Sequence, residues 1–380
     1  MTKENIVLLG CGDIGPIHGT MKTYGTMVRP ILATGDIRFG HCERNYSESS
    51  NVAADKAGEW GGSTADLTLG HRPLEPHMVS IFTDCGFDVV SMAGNHTMDY
   101  GEDAVLDTIA LLRKKGIQVT GAGRNLQEAR QPVIIEKKSV RVAFLAYCSV
   151  LKDKDAAGPQ KAGVAPLRVH TSYEKTEWQP GIPPRVVTIP YEEDLEGMVE
   201  DIAKAKKAAH VVVVSIHWGL HIIPRMIAEY QPIAAKAAFK AGADLILGHH
   251  PHVPKAIEVH NGRKVCFYSL SNFMFSTNTG FKPGYAEKYK HYGVTPDIDE
   301  YPHCPHGKGS HNSMIAKAVL SREGVEKVSF LPVLIDKQCR PEVLNHGDPR
   351  FDDHVSYMDW ISEGYDHKFK VEGDEVVLTG

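Results

Sequence analysis

The 380-residue sequence predicts an α/β fold built on two packed sheets. Three observations carry this expectation. Short, uncharged apolar runs rich in Val and Ile recur along the chain, as in strands buried on both faces. Amphipathic stretches of helical period alternate with them, which is the pattern of strand–helix units. The second half is richer in strand pairs, which suggests a second sheet packed on the first.

In chain order, Ile6–Leu9 reads as a buried first strand and Val89–Met92 as another, followed by a helix over Ala104–Lys115. Val133–Glu136 and Arg141–Ala146, joined by a turn at Lys137-Lys138-Ser139, read as a hairpin, with Val142–Tyr147 its apolar centre. A helix over Asp194–Ala209 leads to the strand Val211–Ile216, and a helix over Gln231–Ala241 to the strand Leu245–Leu247. Further strands are expected at Val265–Leu270, Met314–Leu320 and Val328–Leu331. Glu48–Arg72 and Thr277–Ser310 show no period; loops longer than about 12–15 residues are usually functional or disordered. From about Arg340 the chain is polar and aromatic and is expected to wrap the surface.

Composition narrows the function classes. At 42% hydrophobic and 23% charged residues the chain is ordinary for a globular protein, and its 35 Gly and 22 Pro are scattered without period, which excludes collagen or disorder as its main character. Lys+Arg 42 against Asp+Glu 47 shows no bulk basicity, so neither nucleic acid nor an anionic membrane is an expected partner. No apolar run approaches the roughly 18–20 residues of a membrane span, and seven cysteines without paired spacing suit reduced thiols; a cytoplasmic location is expected. The unusual count is 20 His, the commonest metal ligand and the side chain best suited to proton transfer near neutral pH.

Five polar islands carry the chemistry, most of them directly after an expected strand: Gly10-Cys11-Gly12-Asp13, Phe39-Gly40-His41-Cys42-Glu43-Arg44, Ala93-Gly94-Asn95-His96-Thr97-Met98-Asp99, His217-Trp218-Gly219 and Gly248-His249-His250-Pro251-His252. In open α/β sheets ligands bind beyond the carboxyl ends of strands, so such clusters can converge. Each has a plainer reading alone: Asp13 as a helix cap, Glu43-Arg44 as a surface pair, Asn95-His96 as turn chemistry, His217 as a core histidine. Three His in four residues after an apolar strand have no packing rationale, and the conjunction of five islands outweighs the separate readings. Together they offer a mixed oxygen and nitrogen donor set suited to Mn, Fe, Zn or Co.

The order of these islands resembles the calcineurin-like metallophosphoesterases. Gly12-Asp13-Ile14, Phe39-Gly40-x-x-Glu43, Asn95-His96-x-x-Asp99-x-Gly101, His217-Trp218-Gly219, Gly248-His249-His250-Pro251-His252-Val253 and Tyr268-Ser269-Leu270-Ser271-Asn272-Phe273 resemble the CapA branch, the poly-γ-glutamate capsule synthesis proteins. The resemblance spans roughly residues 5–335 and implies a four-layer αββα sandwich of two mixed sheets with the site at one end. It divides the chain into a domain over 1–335 and an extension over 336–380 packed on it. It also implies one or two divalent metal ions. Asp13 and His252 would serve the first, Glu43 would bridge, and Asn95, His217 and His250 would serve the second. His250 and His252 are preferred to His249 because alternate residues of an extended chain face one way. His96 would be the general acid, oriented by Asp99, with Arg44, Arg225, His221 and His18 as substrate-binding residues. The superfamily's first motif is Asp-x-His, and here Gly15 replaces that His. The first ion therefore lacks a ligand unless His18 or His41 supplies it.

The leading expectation is a hydrolase of CapA type that uses metal-activated water on a phosphoester or an amide bond of a small molecule or peptide. Two others share the pocket: metal-independent acid–base chemistry such as epimerisation of an amino acid or peptide, and a non-enzymatic peptide-binding accessory to a biosynthetic partner enzyme.

Overall fold

The computed structural model describes residues 4–17, 19–50, 73–277, 289, 293–304 and 306–379. Its centre is a ten-stranded mixed sheet. Eight strands run in the order Lys368–Glu372, Glu375–Thr379, Gly324–Ile335, Asn312–Ser321, Ile6–Gly15, Ile37–Cys42, Val89–Ser91 and Gln118–Thr120. Asn272–Phe275 adds to the end of Ile6–Gly15, and Pro341–Val343 adds to Gly324–Ile335. A six-stranded sheet runs Ile257–His260, Lys264–Phe267, Leu245–His249, Val211–His217, Val140–Cys148 and Val133–Lys137.

Three apolar layers fix how these sheets stack. Ile6, Leu8 and Phe39 of the larger sheet meet Val142, Phe144, Val213 and Leu247 of the smaller one, so the sheets pack face to face. Alternate residues of the same strands point the other way. Leu9, Val90 and Val119 pack under Val105, Ile109 and Leu112 of the helix Gly101–Lys114. Leu145, Val212, Val214 and Ile246 pack under the helices Glu192–Ala208 and Tyr230–Ala241, through Met198, Ile202, Ala234 and Ala238. The result is the expected αββα sandwich. Strands buried on both faces need continuous apolar runs, and Val211–His217 is buried at all seven positions.

The helices carry their own start and stop signals. Gly101–Lys114 opens with Glu102 and Asp103 and closes with Arg113 and Lys114, matching the helix dipole. Glu192–Ala208 repeats the pattern with Glu192, Glu193 and Asp194 against Lys206 and Lys207. The hairpin turn narrows to Lys138 and Ser139, at φ +46° and +64°, as a two-residue turn of that hand requires. No described helix is long and apolar enough to cross a membrane. All seven cysteines are buried and free.

The C-terminal stretch differs from the expected surface wrap. Pro349–Ser362 is a helix whose Phe351, Met358 and Ile361 join the layer between the sheets, and Glu375–Thr379 pairs with Gly324–Ile335. Its few apolar residues fall at helical and strand spacing, which its polar composition masked. The hairpin of Val169–Glu174 and Arg185–Pro190 was also not expected; it is largely exposed, so its sequence carries little apolar alternation. Residues 51–72 of the irregular stretch Glu48–Arg72, and His18, lie outside the described residues.

Glu375 ties the last strand to its neighbours. Its carboxylate accepts hydrogen bonds from Lys317 at 2.7 Å, Lys327 at 2.5 Å and Ser329 at 3.0 Å. Burial alone would raise this carboxyl, but those partners outweigh it and pull it down to about 2. The stability it contributes is therefore present above its ordinary value and is lost as pH falls towards 2. Glu375→Gln is expected to cost about 1–2 kcal/mol at pH 7 and almost nothing near pH 2, read from urea unfolding at both pH values. An equal deficit at both would contradict this account.

Candidate metal centre

The site forms where the carboxyl ends of strands from both sheets meet. In the larger sheet, parallel pairing sets Asp13 beside His41, and the chain continues from the second strand into Glu43 and Arg44. In the smaller sheet, parallel pairing sets His217 beside His249. The segment Tyr268–Asn272 crosses from one sheet to the other over these ends. Two glycines make the crossing possible. A Cβ on Gly12 would lie 2.0 Å from the Ser271 carbonyl oxygen, and one on Gly248 would lie 2.1 Å from that of Tyr268. The Asp13 N–H donates to the Ser271 carbonyl at 3.0 Å, and the Leu270 N–H donates to the Gly248 carbonyl at 2.9 Å. The loop after Leu245–His249 then bends sharply, with His250 at φ +97° and His252 at φ +54°. Left-handed backbone at non-glycine residues costs on the order of 1–3 kcal/mol each and clusters at functional sites.

Asp13, His41, Glu43 and His217 are all buried, and their donor atoms lie within 4.8 Å of one another. His41 Nε2 stands 2.8 Å from Glu43 Oε2 but out of line for a hydrogen bond, so both His41 nitrogens and both Glu43 oxygens lack a hydrogen-bond partner. His217 Nδ1 is likewise unpartnered, 4.0 Å from Glu43 Oε2. Buried polar atoms are nearly always satisfied, so orphans among four residues that converge on one point fit a cation. Two carboxylates and two imidazoles suit Mn, Fe, Zn or Co.

The surrounding groups set how these donors point. Asn95 Oδ1 accepts from His217 Nε2 at 2.9 Å, which leaves the Nδ1 lone pair facing Glu43. His249 Nδ1 donates to Asp13 Oδ1 at 3.0 Å, and the His250 backbone N–H donates to Asp13 Oδ2 at 3.3 Å. His252 Nδ1 donates to Asn272 Oδ1 at 2.7 Å, and its Nε2 lies 4.0 Å from Glu43 Oε1. His96 Nδ1 is 2.9 Å from Asp99 Oδ2, and its Nε2 is 3.9 Å from Glu43 Oε1. Burial would raise the Glu43 carboxyl, but the close His41 imidazole, itself held up by Glu43 and Asp13, keeps it below the usual range. Burial drives His217 far down and His250 down to about 3, so both imidazoles are neutral, the form that binds metal.

The remaining residues singled out from the sequence fall in different places. His250 lies near His217, with ring centroids 5.0 Å apart. His221 sits among His250, His252 and His306 at 5.1–5.7 Å. Arg44 is buried, with its guanidinium 5.0 Å from the Phe275 ring centre, and so has no open face for a ligand. Arg225 turns towards the C-terminal region, pairing with Glu363 at 2.8 Å and lying over Trp360. His18 is not among the described residues. His41 is the donor that the ligand set drawn from the sequence left as an alternative; its pairing opposite Asp13 was not readable without the strand register. His249, set aside on spacing, is a partner of Asp13. Of the Thr277–Ser310 segment, the described part brings in His306, stacked on His252 at 5.4 Å with Nδ1 2.5 Å from the Tyr289 hydroxyl. Residues 278–288, 290–292 and 305, which include Gly280 and Gly284, lie outside the described residues.

The sequence profile of the family described as bacterial capsule synthesis protein PGA_cap matches residues 14–277. The PGA biosynthesis protein CapA of Bacillus subtilis (strain 168) is 34% identical over 251 residues, 65% of this chain and 55% of that protein. The capsule biosynthesis protein CapA of Bacillus anthracis is 32% identical over 284 residues, 72% of this chain and 60% of that protein. The chain thus spans less than two thirds of the length of either relative. A crystal structure of the calcineurin-like phosphoesterase YfkN from Bacillus subtilis aligns over 86% of this chain and 90% of that one, at 14% identity and a TM-score of 0.40.

The crossing over Gly12 is open to test. Gly12→Ala would force its methyl group into the Ser271 carbonyl, and overpacking of this kind costs about 3 kcal/mol. The urea midpoint should fall accordingly. An unchanged midpoint would show that the crossing segment yields freely.

Proposed function

The chain belongs to the PGA_cap family of bacterial capsule synthesis proteins, and from that premise we propose that it is a metal-dependent hydrolase acting on an amide or phosphoester bond, with a γ-glutamyl chain as the substrate class its relatives' names suggest. The observation that carries the reading is the buried, convergent group of Asp13, His41, Glu43 and His217, in which both His41 nitrogens, both Glu43 oxygens and His217 Nδ1 lack hydrogen-bond partners.

Asp13, His41, Glu43 and His217 would hold a divalent ion, which would supply an ionised water and offset charge on the attacked oxygen. The chain's own residues do the rest. Asn95 holds His217 in one tautomer through the 2.9 Å contact, so its Nδ1 is left free on the Glu43 side. Asp99 holds His96 in the same way at Nδ1. His96 Nε2, which accepts from the Asn95 amide at 3.3 Å, is then the atom that would carry a proton to the leaving group when His96 is protonated. His96 is 18% exposed while Glu43 is fully enclosed, so a substrate reaches the acid without displacing the ligands. His250 and His252 extend the donor set beside Glu43, and His221 and His306 face the same space from the loops. In this reading the Thr277–Ser310 segment, through His306, contributes to the choice of substrate.

Elemental analysis of protein purified without chelators should show Mn, Fe, Zn or Co. The reloaded protein should cleave members of a panel of γ-glutamyl peptides and phosphoesters and lose that activity in EDTA. Under about one tenth of an equivalent of metal, with cleavage unchanged in EDTA, would contradict the proposal. Solvent-deuterium uptake into a peptide without cleavage would favour acid–base chemistry instead, and binding without either would favour an accessory role.

His96→Ala is expected to lower turnover by about 10²–10⁴-fold while metal content stays unchanged. A substrate with a very good leaving group should hide part of the loss. A variant that loses metal but keeps its rate per bound ion would overturn the assignment of His96.

A further inference from the structure

The outer face of the smaller sheet carries a second concentration of charge, away from the metal centre. The helix Tyr230–Ala241 starts beside the centre, where the Tyr230 hydroxyl accepts from the Gly219 N–H at 2.7 Å, and runs 12 residues towards the opposite end of the sheet. At about 1.5 Å per residue it is about 18 Å long. At its far end a cavity of about 250 Å³ opens between the helix and the turn that joins Ile257–His260 to Lys264–Phe267. Its walls are Lys236, Phe239, Lys240, His260, Asn261 and Lys264, and none of them is acidic.

The carboxylates nearby are engaged elsewhere. Asp244 pairs with Lys206 at 2.7 Å, and Glu258 accepts from the Tyr268 hydroxyl at 2.7 Å and lies 3.1 Å from His260 Nε2. Among the described residues, Lys236, Lys240 and Lys264 form no ion pair. Lys264 is the anchored one. Its Nζ donates to the Phe239 carbonyl at 2.6 Å and lies 5.9 Å from the Phe239 ring centre. An ammonium has three donors, so two are left for the cavity. Burial pulls this ammonium below its ordinary value although Asp244 opposes the shift, as befits a cation taken partly out of water with no anion in contact. Lys236 and Lys240 are exposed and stand four residues apart on one helix face, where like charges destabilise a helix. Lys240, in the last turn, complements the helix dipole; Lys236, a turn earlier, gains little from it. A chain of net charge −5 thus keeps three ammonium groups without ion pairs around one cavity.

We propose that this cavity is a binding site for the free carboxylates of an extended γ-glutamyl chain, held by Lys236, Lys240 and Lys264 at the far end of the helix from the metal centre. The proposal rests on the substrate class given above. Lys236 and Lys240 are about 6 Å apart along the helix axis, which suits successive carboxylates of a chain. The walls hold no arginine fork of the kind that grips a single phosphate from two sides. A site so far from the ion raises affinity for long chains and leaves the bond-breaking step alone.

The experiment titrates poly-γ-glutamate into the full-length protein in EDTA, so that cleavage does not interfere, and reads binding by calorimetry. Lys236→Ala/Lys240→Ala, checked for folding by circular dichroism, is expected to bind the polymer about fivefold more weakly. Lys114→Ala/Lys115→Ala removes the same charge from the helix on the other sheet and is expected to bind as the unaltered chain does. On metal-loaded protein, KM for the polymer should rise in the first variant, while kcat and both constants for a γ-glutamyl dipeptide stay unchanged. Equal polymer affinity in the unaltered chain and the first variant, or equal weakening in both variants, would overturn the inference even where the polymer is cleaved. Binding that depends on Lys236 and Lys240 in a protein that cleaves nothing would support the site and overturn the hydrolase reading. Inorganic phosphate bound through these lysines by a chain that ignores the polymer would overturn the inference in favour of a single-anion site.

Discussion

The structure depends on burying two carboxylates, Asp13 and Glu43, at a point where two sheets meet and no water reaches them. An isolated carboxylate cannot be taken out of water without strong compensation. Here compensation comes from imidazoles on both sheets and, in the proposed function, from a bound ion. The αββα architecture is what brings the compensating groups together, since the larger sheet supplies Asp13, His41 and Glu43 and the smaller one supplies His217 and the His249–His252 loop. The centre is thus a property of the sandwich rather than of either sheet.

The crossing segment Tyr268–Asn272 links the two sources. It hydrogen-bonds to the ends of both sheets and sits against Gly12 and Gly248, which leave no room for a side chain. From there Asn272 holds His252, and the chain runs on to Phe275, which packs against both His252 and Arg44. A few backbone contacts therefore set the spacing between donors that are more than two hundred residues apart in sequence. Interactions that are weak one by one are decisive here because donor geometry tolerates only small displacements.

Much of this was legible in the sequence, for physical reasons that can be named. Strands such as Val211–His217 announce themselves because burial on both faces demands an unbroken apolar run. The helix Gly101–Lys114 shows its period and its terminal charges. The islands of the centre stood out because polar groups directly after buried strands have few structural uses. What stayed hidden depends on register and packing. His41 reaches the centre because it pairs opposite Asp13, and Arg44, which reads as half of a surface pair with Glu43, is buried because Gly15 leaves room for it. The helix Pro349–Ser362 and the strand Glu375–Thr379 were masked by polar composition, although Phe351, Met358 and Ile361 fall on one helical face.

The central claim is that His41 and His217 meet Asp13 and Glu43 around a cation. X-ray absorption spectroscopy of the zinc-loaded full-length protein tests it most directly, because imidazole ligands leave a distinct outer-shell scattering pattern. The account predicts a first shell of mixed oxygen and nitrogen with the outer-shell signature of imidazole, reduced by about half in His41→Ala. A shell of oxygen alone, or an imidazole signal that His41→Ala leaves unchanged, would contradict it.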